Sequence, residues 1–318
     1  MLALSRLDSS ITLREVAAPR PAHDAALIRV NLAGICNTDL EIARGYMGFE
    51  GVLGHEFVGV VEACSDPGWL GARVAGEINL ACRRCSLCQR GLSRHCPSRT
   101  VLGILGKDGA FAEYLTLPIA NLHRVPDALS DRAACFVEPI AACFEILEQV
   151  RVQPDDQLVV LGDGKLGLLA ALVLKSQGLC PVLLGKHPDK LARAGRLGVH
   201  TALAADLPRK AFDVVVEATG SPSGMQLAIE LVRPRGTLVL KSTYHGALSL
   251  DAAPLVIDEI TLLGSRCGPF PPALARLASG TLDPEPLIDA VYPLRYAERA
   301  LEHAAERGVL KVLISPSA

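Results

Sequence analysis

The sequence predicts an α/β protein of two domains, in which a compact, barrel-like β domain precedes a doubly wound parallel sheet. The chain has 318 residues, whereas one core usually stops growing at ~250 to 300 residues. Residues 1–140 alternate short β-prone runs, such as residues 26–30 and 57–61, with Gly and Pro turns. Strand and helix patterns then alternate over residues 141–267, which is typical of a parallel sheet.

Composition excludes several classes of protein. The formal net charge is −2 and Lys and Arg are spread along the chain, so the sequence offers no basic field for nucleic acid. No run of about 18 apolar residues is free of charges, and the first residues lack the features of a signal peptide. We therefore expect a soluble, cytoplasmic protein with neither a nucleic-acid partner nor a membrane partner.

Four closely spaced cysteines are the most specific local signal in the chain: Cys82, Cys85, Cys88 and Cys96. Four thiolates at this spacing can close a tetrahedral zinc shell with no open position, which makes a structural site. Four arginines lie among them, and their charge would favour the thiolate form: Arg83, Arg84, Arg90 and Arg94. A nucleic-acid-binding zinc lobe, a disulfide pair and an iron–sulfur cluster remain as alternatives. The other cysteines have no ligand spacing and are interpreted as buried thiols: Cys64, Cys135, Cys143, Cys180 and Cys267.

A second candidate metal site is dispersed over the same region. Its members are Cys36, then the pair His55 and Glu56, then Glu138. A thiolate, an imidazole and a carboxylate that leave one position for water or substrate make a catalytic zinc site. Taken singly, these residues have plainer interpretations, as a buried thiol, a core histidine and a carboxylate at a helix N-terminus. Their combination with the four cysteines and with a glycine turn further along favours the zinc site.

The glycine turn predicts dinucleotide binding. An apolar run at residues 158–161 precedes it and a helical run at residues 168–175 follows it. The motif between them is Gly162-Asp163-Gly164-Lys165-Leu166-Gly167. Its first glycine would allow a sharp turn, its second a close approach to a pyrophosphate, and its third close packing of helix and strand. The helix N-terminus would offer unpaired N–H groups to the phosphates.

The rest of the chain continues these patterns. Further strands are expected at residues 181–184, 212–217, 237–241 and 260–263. Turns are expected at residues 218–222 and 233–236. The last part of the chain predicts helices at residues 273–278 and 297–305 and a strand at residues 310–315.

Together these motifs resemble the zinc-dependent medium-chain dehydrogenases, the superfamily of alcohol, polyol, threonine and glucose dehydrogenases. The likeness covers nearly the whole chain and is carried by residues 34–39, 54–59, 82–96, 109–114, 138–139, 162–167 and 311–312. The resemblance implies a GroES-like β-barrel catalytic domain, a Rossmann NAD(P)-binding domain and a C-terminal segment that returns to the catalytic domain. Their expected bounds are 1–140, with the zinc lobe at 82–96, then 141–267 and 268–318.

The resemblance also implies the ligands of a catalytic zinc, so that two zinc ions per chain are expected. Cys36, His55 and Glu138 match the ligand positions, and Glu56 matches an acid that can enter or support the zinc shell. Asp39 matches a residue that supports the ligands from behind. A glutamate as third ligand is similar to the polyol, threonine and glucose branch, whereas the simple alcohol branch usually has cysteine there.

The activity implied is NAD(P)-dependent oxidation of an alcohol to a carbonyl, or the reverse. Thr38 resembles the family hydroxyl that takes the alcohol proton, and Glu41 stands where many relatives have a proton-relaying histidine. Cofactor contacts are expected from the glycine turn and from Thr219, Arg266 and Lys311. The zinc would lower the pKa of the alcohol towards ~7, and hydride would pass to the nicotinamide.

The second strand predicts a preference for NADP over NAD. Folds of this kind that are specific for NAD place an acidic residue at the end of this strand, where it binds the adenosine ribose. Here residues 181–184 are followed by Gly185, Lys186 and His187. The glycine leaves room for a 2′-phosphate, and the two basic residues offer charge and hydrogen bonds to hold it.

A small-molecule alcohol is the expected substrate, and a homodimer or homotetramer the expected assembly. A glutamate ligand and a shortened stretch near residues 65–70 suggest a polyol or a sugar.

Two alternative functions remain from the sequence. One is a zinc-free type of quinone or enoyl reductase, and the other is a catalytically silent homologue that acts as a binding protein. The intact metal and proton-transfer positions argue against both.

Overall fold

A computed structural model describes residues 1–203, 206–243 and 248–316 of the chain. The chain divides into two compact units. Unit 1 comprises Met1–Glu138 and Phe270–Ala318, and unit 2 comprises Pro139–Pro269. In the described ranges, no helix is both long enough and apolar enough to cross a membrane.

Strands run through both units. In chain order they are β1 (Leu2–Leu7), β2 (Ser10–Glu15), β3 (Ala25–Gly34), β4 (Gly51–Val52), β5 (Glu56–Cys64), β6 (Arg73–Gly76), β7 (Asn79–Leu80), β8 (Thr100–Leu102), β9 (Gly106–Lys107), β10 (Tyr114–Pro118), β11 (Leu122–Arg124), β12 (Leu158–Leu161), β13 (Val182–Leu184), β14 (His200–Ala202), β15 (Phe212–Glu217), β16 (Val232–Leu240), β17 (Thr261–Gly264), β18 (Ile288–Pro293) and β19 (Lys311–Ser315).

The two longest described α-helices, α4 and α5, lie mainly or wholly in unit 2. In chain order they are α1 (Asn37–Ala43), α2 (Ser86–Gln89), α3 (Asp131–Ala134), α4 (Val137–Gln149), α5 (Lys165–Ser176), α6 (Pro188–Arg196), α7 (Pro222–Leu231), α8 (Ala253–Ile257), α9 (Phe270–Ala278) and α10 (Ala297–Ala305).

Unit 1 is built on a seven-stranded sheet with the order β11-β6-β5-β3-β19-β18, in which β10 also pairs with β3. Two smaller sheets, β2-β1-β4 and β7-β8-β9, complete it. The last strand joins the first part of the chain, because β19 pairs with β3 through Leu313 opposite Gly34. Buried β-branched and leucine side chains such as Val30, Val58 and Leu313 fill the core between these sheets. The prediction of a β-rich first domain is confirmed.

Unit 2 is a six-stranded parallel sheet with the order β14-β13-β12-β15-β16-β17. The order reverses beside β12, which is the doubly wound arrangement that the sequence predicted. All four residues of β12 are buried, as expected of a central strand with helices on both faces. Because parallel strands end at the same edge, the segments that follow β12, β13 and β15 are carried to one side of the sheet.

Several strand boundaries differ from the predicted ones, and β17 and β19 each begin one residue later than expected. β13 begins at Val182 and not at residue 181, which is a proline and has no N–H for the ladder. β14 was not predicted, because it is a three-residue edge strand whose first two residues are exposed. The turn predicted at residues 233–236 lies inside β16. The pairing with β15 shifts register over this stretch, and Arg235 has a φ of 60°.

The cysteines without ligand spacing are only partly the buried thiols that were predicted. Cys135 and Cys143 are buried. Cys180, in contrast, is exposed, and Cys64 and Cys267 are half-buried. The prediction was wrong for these three, because each lies at a strand end or in a loop and not in a core element.

Candidate active site

Cys36, His55 and Glu56 form a group of metal-binding side chains in unit 1. Their ligand atoms all lie within 4.8 Å of one another, with the Cys36 side chain half-buried and the other two buried. Two strands bring them together. Cys36 follows β3 and is the N-cap of α1, and Glu56 is the first residue of β5. Since β3 and β5 pair with Gly34 opposite Glu56, the end of one strand meets the start of the other.

The carboxylate of Asp39 links the two segments that carry these ligands. Its side chain is fully buried, and its Oδ2 accepts a hydrogen bond from the backbone N–H of Cys36 at 2.8 Å. Its Oδ1 accepts one from the backbone N–H of Gly54 at 3.2 Å. The same Oδ1 lies 3.3 Å from Nδ1 of His55, a charge contact whose geometry falls short of a hydrogen bond. Asp39 therefore positions both segments, which is the supporting role that was expected.

His55 lies in a negatively charged environment. Burial lowers the pKa of His55, but the Asp39 carboxylate and the Cys36 thiolate outweigh burial and raise this pKa well above its usual value. Surroundings that stabilise a proton on an imidazole also stabilise a cation beside it. A thiolate, an imidazole and a carboxylate are ligands that zinc accepts, so the residues present fit this metal.

Lys311 brings a positive charge to the same place. Its ammonium forms an ion pair with the carboxylate of Glu56, and both side chains are almost fully buried. Its Nζ also donates to the carbonyl oxygen of Ile35 at 3.3 Å. Burial lowers the pKa of Lys311 to about 8, against the opposite effects of Cys36 and Asp39. Lys311 was predicted to contact the cofactor, whereas the structure places its side chain against Glu56, where it offsets the charge of this carboxylate.

Thr38 and Glu41 lie on α1, directly after Cys36. The Thr38 hydroxyl oxygen is 3.7 Å from the sulfur of Cys36, within hydrogen-bond reach of a sulfur atom, and the side chain is half-buried. Glu41 forms an ion pair with Arg44 at 2.8 Å, and its side chain is 27 % exposed. A hydroxyl is therefore present beside the metal-binding group, and a partly exposed carboxylate lies one turn further along the helix.

Glu138 is in the first turn of α4 and is half-buried. Across the described residues, the group of mutually close ligand atoms contains Glu56 and does not contain Glu138. The carboxylate that the structure brings to Cys36 and His55 is therefore Glu56. The assignment of Glu138 as a zinc ligand stays a prediction.

The four cysteines of the predicted structural site converge. The sulfurs of Cys82, Cys85, Cys88 and Cys96 all lie within 4.8 Å of one another. The Cys85 sulfur is 3.5 Å from that of Cys88 and 3.9 Å from that of Cys96. A tetrahedral zinc with sulfur ligands at about 2.3 Å would separate the sulfurs by about 3.8 Å. The spacing therefore fits a closed zinc site, and all four thiols are free.

Backbone donors, and not arginine side chains, stabilise the first thiolate of this lobe. The pKa of Cys82 is lowered to about 6, mainly by the backbone N–H groups of Arg84 and Cys85. Burial and neighbouring thiols raise the pKa of Cys88 to about 11. The expectation that nearby guanidinium groups favour the thiolate form is thus corrected for Cys82. A metal ion would displace the thiol protons that remain.

In unit 2, β12 and α5 meet in the predicted glycine turn. Gly162 has a φ of 115°, in the left-handed region, and a Cβ there would lie 2.6 Å from a backbone carbonyl oxygen. A Cβ at Gly167 would lie 1.8 Å from the carbonyl oxygen of Gly162, so only glycine allows this close approach. A Cβ at Gly164 would meet nothing within 4 Å. α5 begins at Lys165 and continues through Leu166, with Gly164 as its N-cap. The space beside Gly164 therefore lies at the N-terminus of a helix.

Asp163, the residue between the first two glycines, reaches the end of β13. Its Oδ2 accepts the backbone N–H of Lys186 at 2.7 Å and that of His187 at 2.8 Å. Both of its carboxylate oxygens lie 3.0 Å from Nδ1 of His187. Burial raises the pKa of Asp163, but these hydrogen bonds outweigh burial and lower it. A Cβ at Gly185 would lie 2.4 Å from this carboxylate, so the glycine makes room for Asp163.

Two other segments with predicted cofactor contacts also follow strands of this sheet. Thr219 comes directly after β15, and its backbone N–H donates to the buried carboxylate of Glu217 at 2.7 Å. The ammonium of Lys241 donates to the carbonyl oxygen of Arg266 at 2.8 Å and so fixes the segment after β17. Glu217 and Lys241 were not predicted in these supporting positions. The loop after β16 includes residues 244–247, which lie outside the described residues.

Two family descriptions match the chain. The alcohol dehydrogenase GroES-like domain matches residues 22–127, and the zinc-binding dehydrogenase domain matches residues 166–279. The first match covers the metal-binding residues of unit 1 as far as residue 127. The second match covers most of α5 and the strands from β13 to β17.

Relatives match over nearly the full length. The chain is 33% identical to an L-threonine 3-dehydrogenase of Streptomyces avermitilis over 98% of this chain and 98% of the relative. It is 31% identical to D-arabinitol dehydrogenase 1 of Uromyces fabae, over 98% of this chain and 95% of the relative.

Two solved structures have a similar fold over 99% of this chain. One, described as a zinc-binding dehydrogenase of Sinorhizobium meliloti 1021 bound to NADP, has a TM-score of 0.91 and 27% identity over 99% of its own chain. Another, an alcohol dehydrogenase (rspB) of E. coli CFT073 in complex with NADH, has a TM-score of 0.90 and 26% identity over 99% of its chain.

Proposed function

This chain belongs to the zinc-containing medium-chain dehydrogenase/reductase family and is an NAD(P)-dependent zinc alcohol dehydrogenase, and we propose that it oxidises a polyol or sugar-like alcohol with NADP as the preferred cofactor. The observation that carries this proposal is the convergence of Cys36, His55 and Glu56 on one point beside the hydroxyl of Thr38. Because free thiols supply both candidate metal sites, we place the protein in a reducing compartment, the cytoplasm.

Two zinc ions per chain fit the donor sets. We assign Cys36, His55 and Glu138 to the first ion, with Glu56 beside it, and the four cysteines to the second. When bound, the first ion supplies Lewis acidity that lowers the pKa of an alcohol, and the nicotinamide supplies the hydride acceptor. The ion pair with Lys311 offsets the charge of Glu56, which is why we treat this carboxylate as a supporting group.

The residues of α1 would handle the alcohol proton. The hydroxyl oxygen of Thr38 lies beside Cys36, where it can accept the proton of a bound alcohol and pass on its own. Glu41 is one turn further along and is partly exposed, so its carboxylate can exchange protons with water. We assign Thr38 as the first proton acceptor and Glu41 as a group that leads the proton outward.

The substrate class is supported by the relatives and by the ligand set. D-arabinitol dehydrogenase 1 acts, by its name, on a polyol, and a glutamate as third ligand resembles the polyol branch. An L-threonine 3-dehydrogenase is a relative of similar identity, so a secondary alcohol on an amino acid is the second candidate. Both candidates carry a hydroxyl on a secondary carbon, next to a carbon that bears a polar group.

The test is a cofactor-reduction assay across a panel of alcohols with zinc-loaded protein. Pentitols and hexitols are expected to give the highest catalytic efficiency, above L-threonine and above ethanol. Highest efficiency with L-threonine would replace the polyol by the second candidate. Reduction of a quinone or an enoyl thioester without any alcohol oxidation would overturn the proposed reaction, and no turnover at all would favour a silent homologue.

The cofactor preference is supported by the end of β13. The segment after this strand contributes Lys186, which is exposed, and His187. The carboxylate of Asp163 is present there, but three donors from Lys186 and His187 already occupy it. These donors offset the charge of the Asp163 carboxylate and occupy its oxygens. Asp163 therefore cannot bind the ribose hydroxyls in the way that an acidic residue at the end of β13 would. The ammonium of Lys186 has no partner within the described ranges, so it can bind the 2′-phosphate of NADP.

Replacing Lys186 with alanine is expected to lower the catalytic efficiency with NADP by roughly tenfold or more, since a hydrogen bond to a charged group contributes about 1.5–3 kcal/mol. Efficiency with NAD should stay nearly unchanged. Lys190→Ala is the matched control, because this lysine lies one turn into α6. Fluorescence titration with NADPH and NADH separates binding from turnover. Equal losses with both cofactors, or a better efficiency with NAD in the unaltered enzyme, would contradict the assignment.

We further propose a homodimer formed through the edge of the unit 2 sheet. β17 is the outer strand of that sheet, and Leu262 on it is 42% exposed. Val256 and Ile257 on the neighbouring helix α8 are both 76% exposed, which is unusual for such apolar side chains. A second copy that pairs along β17 would cover all three and remove the free strand edge.

Ile257→Asp is expected to shift the protein from dimer to monomer, because a carboxylate would be buried without a partner. Light scattering coupled to size exclusion measures the mass. Leu203→Asp is the matched control, since Leu203 is an exposed leucine directly after β14, at the opposite edge. A monomeric parent protein, or a dimer that survives Ile257→Asp, would place the interface elsewhere.

A further inference from the structure

Unit 1 contains a cavity that the metal-binding residues do not line. Its volume is about 340 Å³ and it lies between β1, β2, β4 and the segment around β9 and β10. This volume is at the lower end of the range for small-molecule sites, ≈ 300–1,000 Å³, and well above the ≈ 30 Å³ of one water molecule. Its wall includes the charged residues Arg6, Arg14, Lys107 and Asp108 and the aliphatic hydroxyls of Ser5 and Thr116.

Arg6 is the most unusual of these residues. It is only 7% exposed, although arginine is rarely so deeply buried without a paired charge. One guanidinium nitrogen donates to the carbonyl oxygen of Phe49 at 2.8 Å. Its Nε is buried and has no hydrogen-bond partner among the described residues. Within the same ranges, Arg6 forms no ion pair. A buried cation without a charged partner is costly, and an anion in the cavity would balance the charge of Arg6.

The other charges in the wall do not balance Arg6. Lys107 is half-buried and its Nζ donates to the hydroxyl of Thr116 at 2.7 Å. Burial lowers the pKa of Lys107, and the neighbouring carboxylate of Asp108 opposes this effect without cancelling it. Arg14 adds a third cation, held by the Thr12 hydroxyl at 2.7 Å. Asp108 is the only carboxylate among these wall residues, and its Oδ1 already accepts the backbone N–H of Val52 at 2.9 Å.

We propose that this cavity binds a small oxyanion, either inorganic phosphate or the phosphate or carboxylate group of a small metabolite. The ammonium of Lys107 would hold the oxygens next to the positive charge of Arg6, and the hydroxyls of Ser5 and Thr116 would supply neutral donors. Guanidinium and ammonium groups are the usual partners of such anions, and charge-assisted hydrogen bonds are about twice as strong as neutral ones. Because Arg6 also contacts the carbonyl of Phe49, the bound anion would fix the segment before β4.

The experiment uses the holoenzyme saturated with NADPH, so that the phosphate positions of the cofactor are already filled. Inorganic phosphate is titrated calorimetrically and in a thermal-unfolding assay against sodium chloride of equal ionic strength. One saturable site per chain and a higher melting temperature with phosphate are expected. Lys107→Met should weaken phosphate binding at least tenfold, and it leaves the bond between Arg6 and Phe49 intact. Arg20→Gln removes an exposed charge from the same unit and should change nothing.

Arg6→Gln should remove phosphate binding altogether in protein that still shows native far-UV circular dichroism. Glycerol phosphate and malonate, titrated in the same way, distinguish a phosphate ester from a carboxylate by the tighter of the two affinities. If phosphate acts no differently from chloride, or if Lys107→Met binds it as tightly as the parent enzyme does, the cavity is not an anion site. Arg6 would then serve only to hold the Phe49 segment.

Discussion

Replacing His55 or Cys36 with alanine is expected to abolish turnover and to leave cofactor binding nearly unchanged. Both residues belong to unit 1, whereas the glycine turn belongs to unit 2. Loss of one of three protein ligands should release the first zinc, because an open site with few ligands exchanges more readily than a closed four-thiolate site. The measurements are the zinc content per chain, NADPH binding by fluorescence, and the rate of cofactor reduction.

The expected zinc content is two per chain in the parent enzyme and one in either variant. Brief chelation of the parent should likewise remove about one equivalent and all activity without unfolding the chain. Cys135→Ala is the control, since this buried thiol is in neither group of ligands. A fully active parent with a single zinc, or an active His55→Ala enzyme, would refute the assignment of the catalytic metal site.

The same zinc measurement separates the two candidate carboxylates. Glu138→Gln is expected to release the first zinc, because we assign this carboxylate as the third ligand. Glu56→Gln should retain more metal, because the charge of Glu56 is already offset by Lys311. The reverse order of zinc loss would make Glu56 the third ligand, in agreement with its position beside Cys36 and His55.

Thr38→Val is expected to lower the rate at neutral pH by roughly 10² to 10⁴, the usual range for loss of a proton-transfer group. Valine has nearly the shape of threonine, so the change removes the hydroxyl that lies 3.7 Å from the Cys36 sulfur and little else. Rates are measured at saturating cofactor across pH, together with the zinc content. An alcohol with a lower pKa should lose less, because it needs less help to give up its proton.

Thr38→Ser is the matched control for this prediction. It keeps the hydroxyl and should retain most of the activity, whereas a purely steric role of Thr38 would make serine and valine about equally poor. A Thr38→Val enzyme with a rate near that of the parent would assign proton transfer to another group, of which Glu41 is the nearest on the same helix.

Local motifs made most of the fold predictable, together with the group of four cysteines and the glycine turn. The four cysteines and the glycine turn each lie within a short stretch of chain, so their spacing alone constrains their geometry. The strands β12 and β15 match the predicted ranges, because the short apolar runs at residues 158–161 and 214–216 are buried in the parallel sheet. β14 escaped prediction, because a three-residue edge strand with exposed His200 and Thr201 carries no periodic signal.

The contacts that tune the sites could not be predicted, because their partners are remote in sequence. Glu56 and Lys311 are 255 residues apart, and no periodicity connects them. Asp163 is part of the glycine turn that the sequence identified. Its hydrogen bonds with Lys186 and His187, however, depend on the pairing of β12 with β13. A carboxylate in the second position of a glycine turn, together with a glycine after the next strand, is a signal that could identify this contact in other sequences.

The pairing of β19 with β3 also sets an order of events during biosynthesis. Lys311 of β19 donates to Ile35, 276 residues earlier, so unit 1 cannot close around Cys36 until the ribosome has released nearly all of the chain. The whole of unit 2 is synthesised inside this interval and uses only its own strands for its sheet. Since domains fold as units while the chain emerges, the nucleotide-binding sheet can form first. The Cys36 thiol must therefore stay reduced beside an incomplete sheet until the last strand of unit 1 has been made.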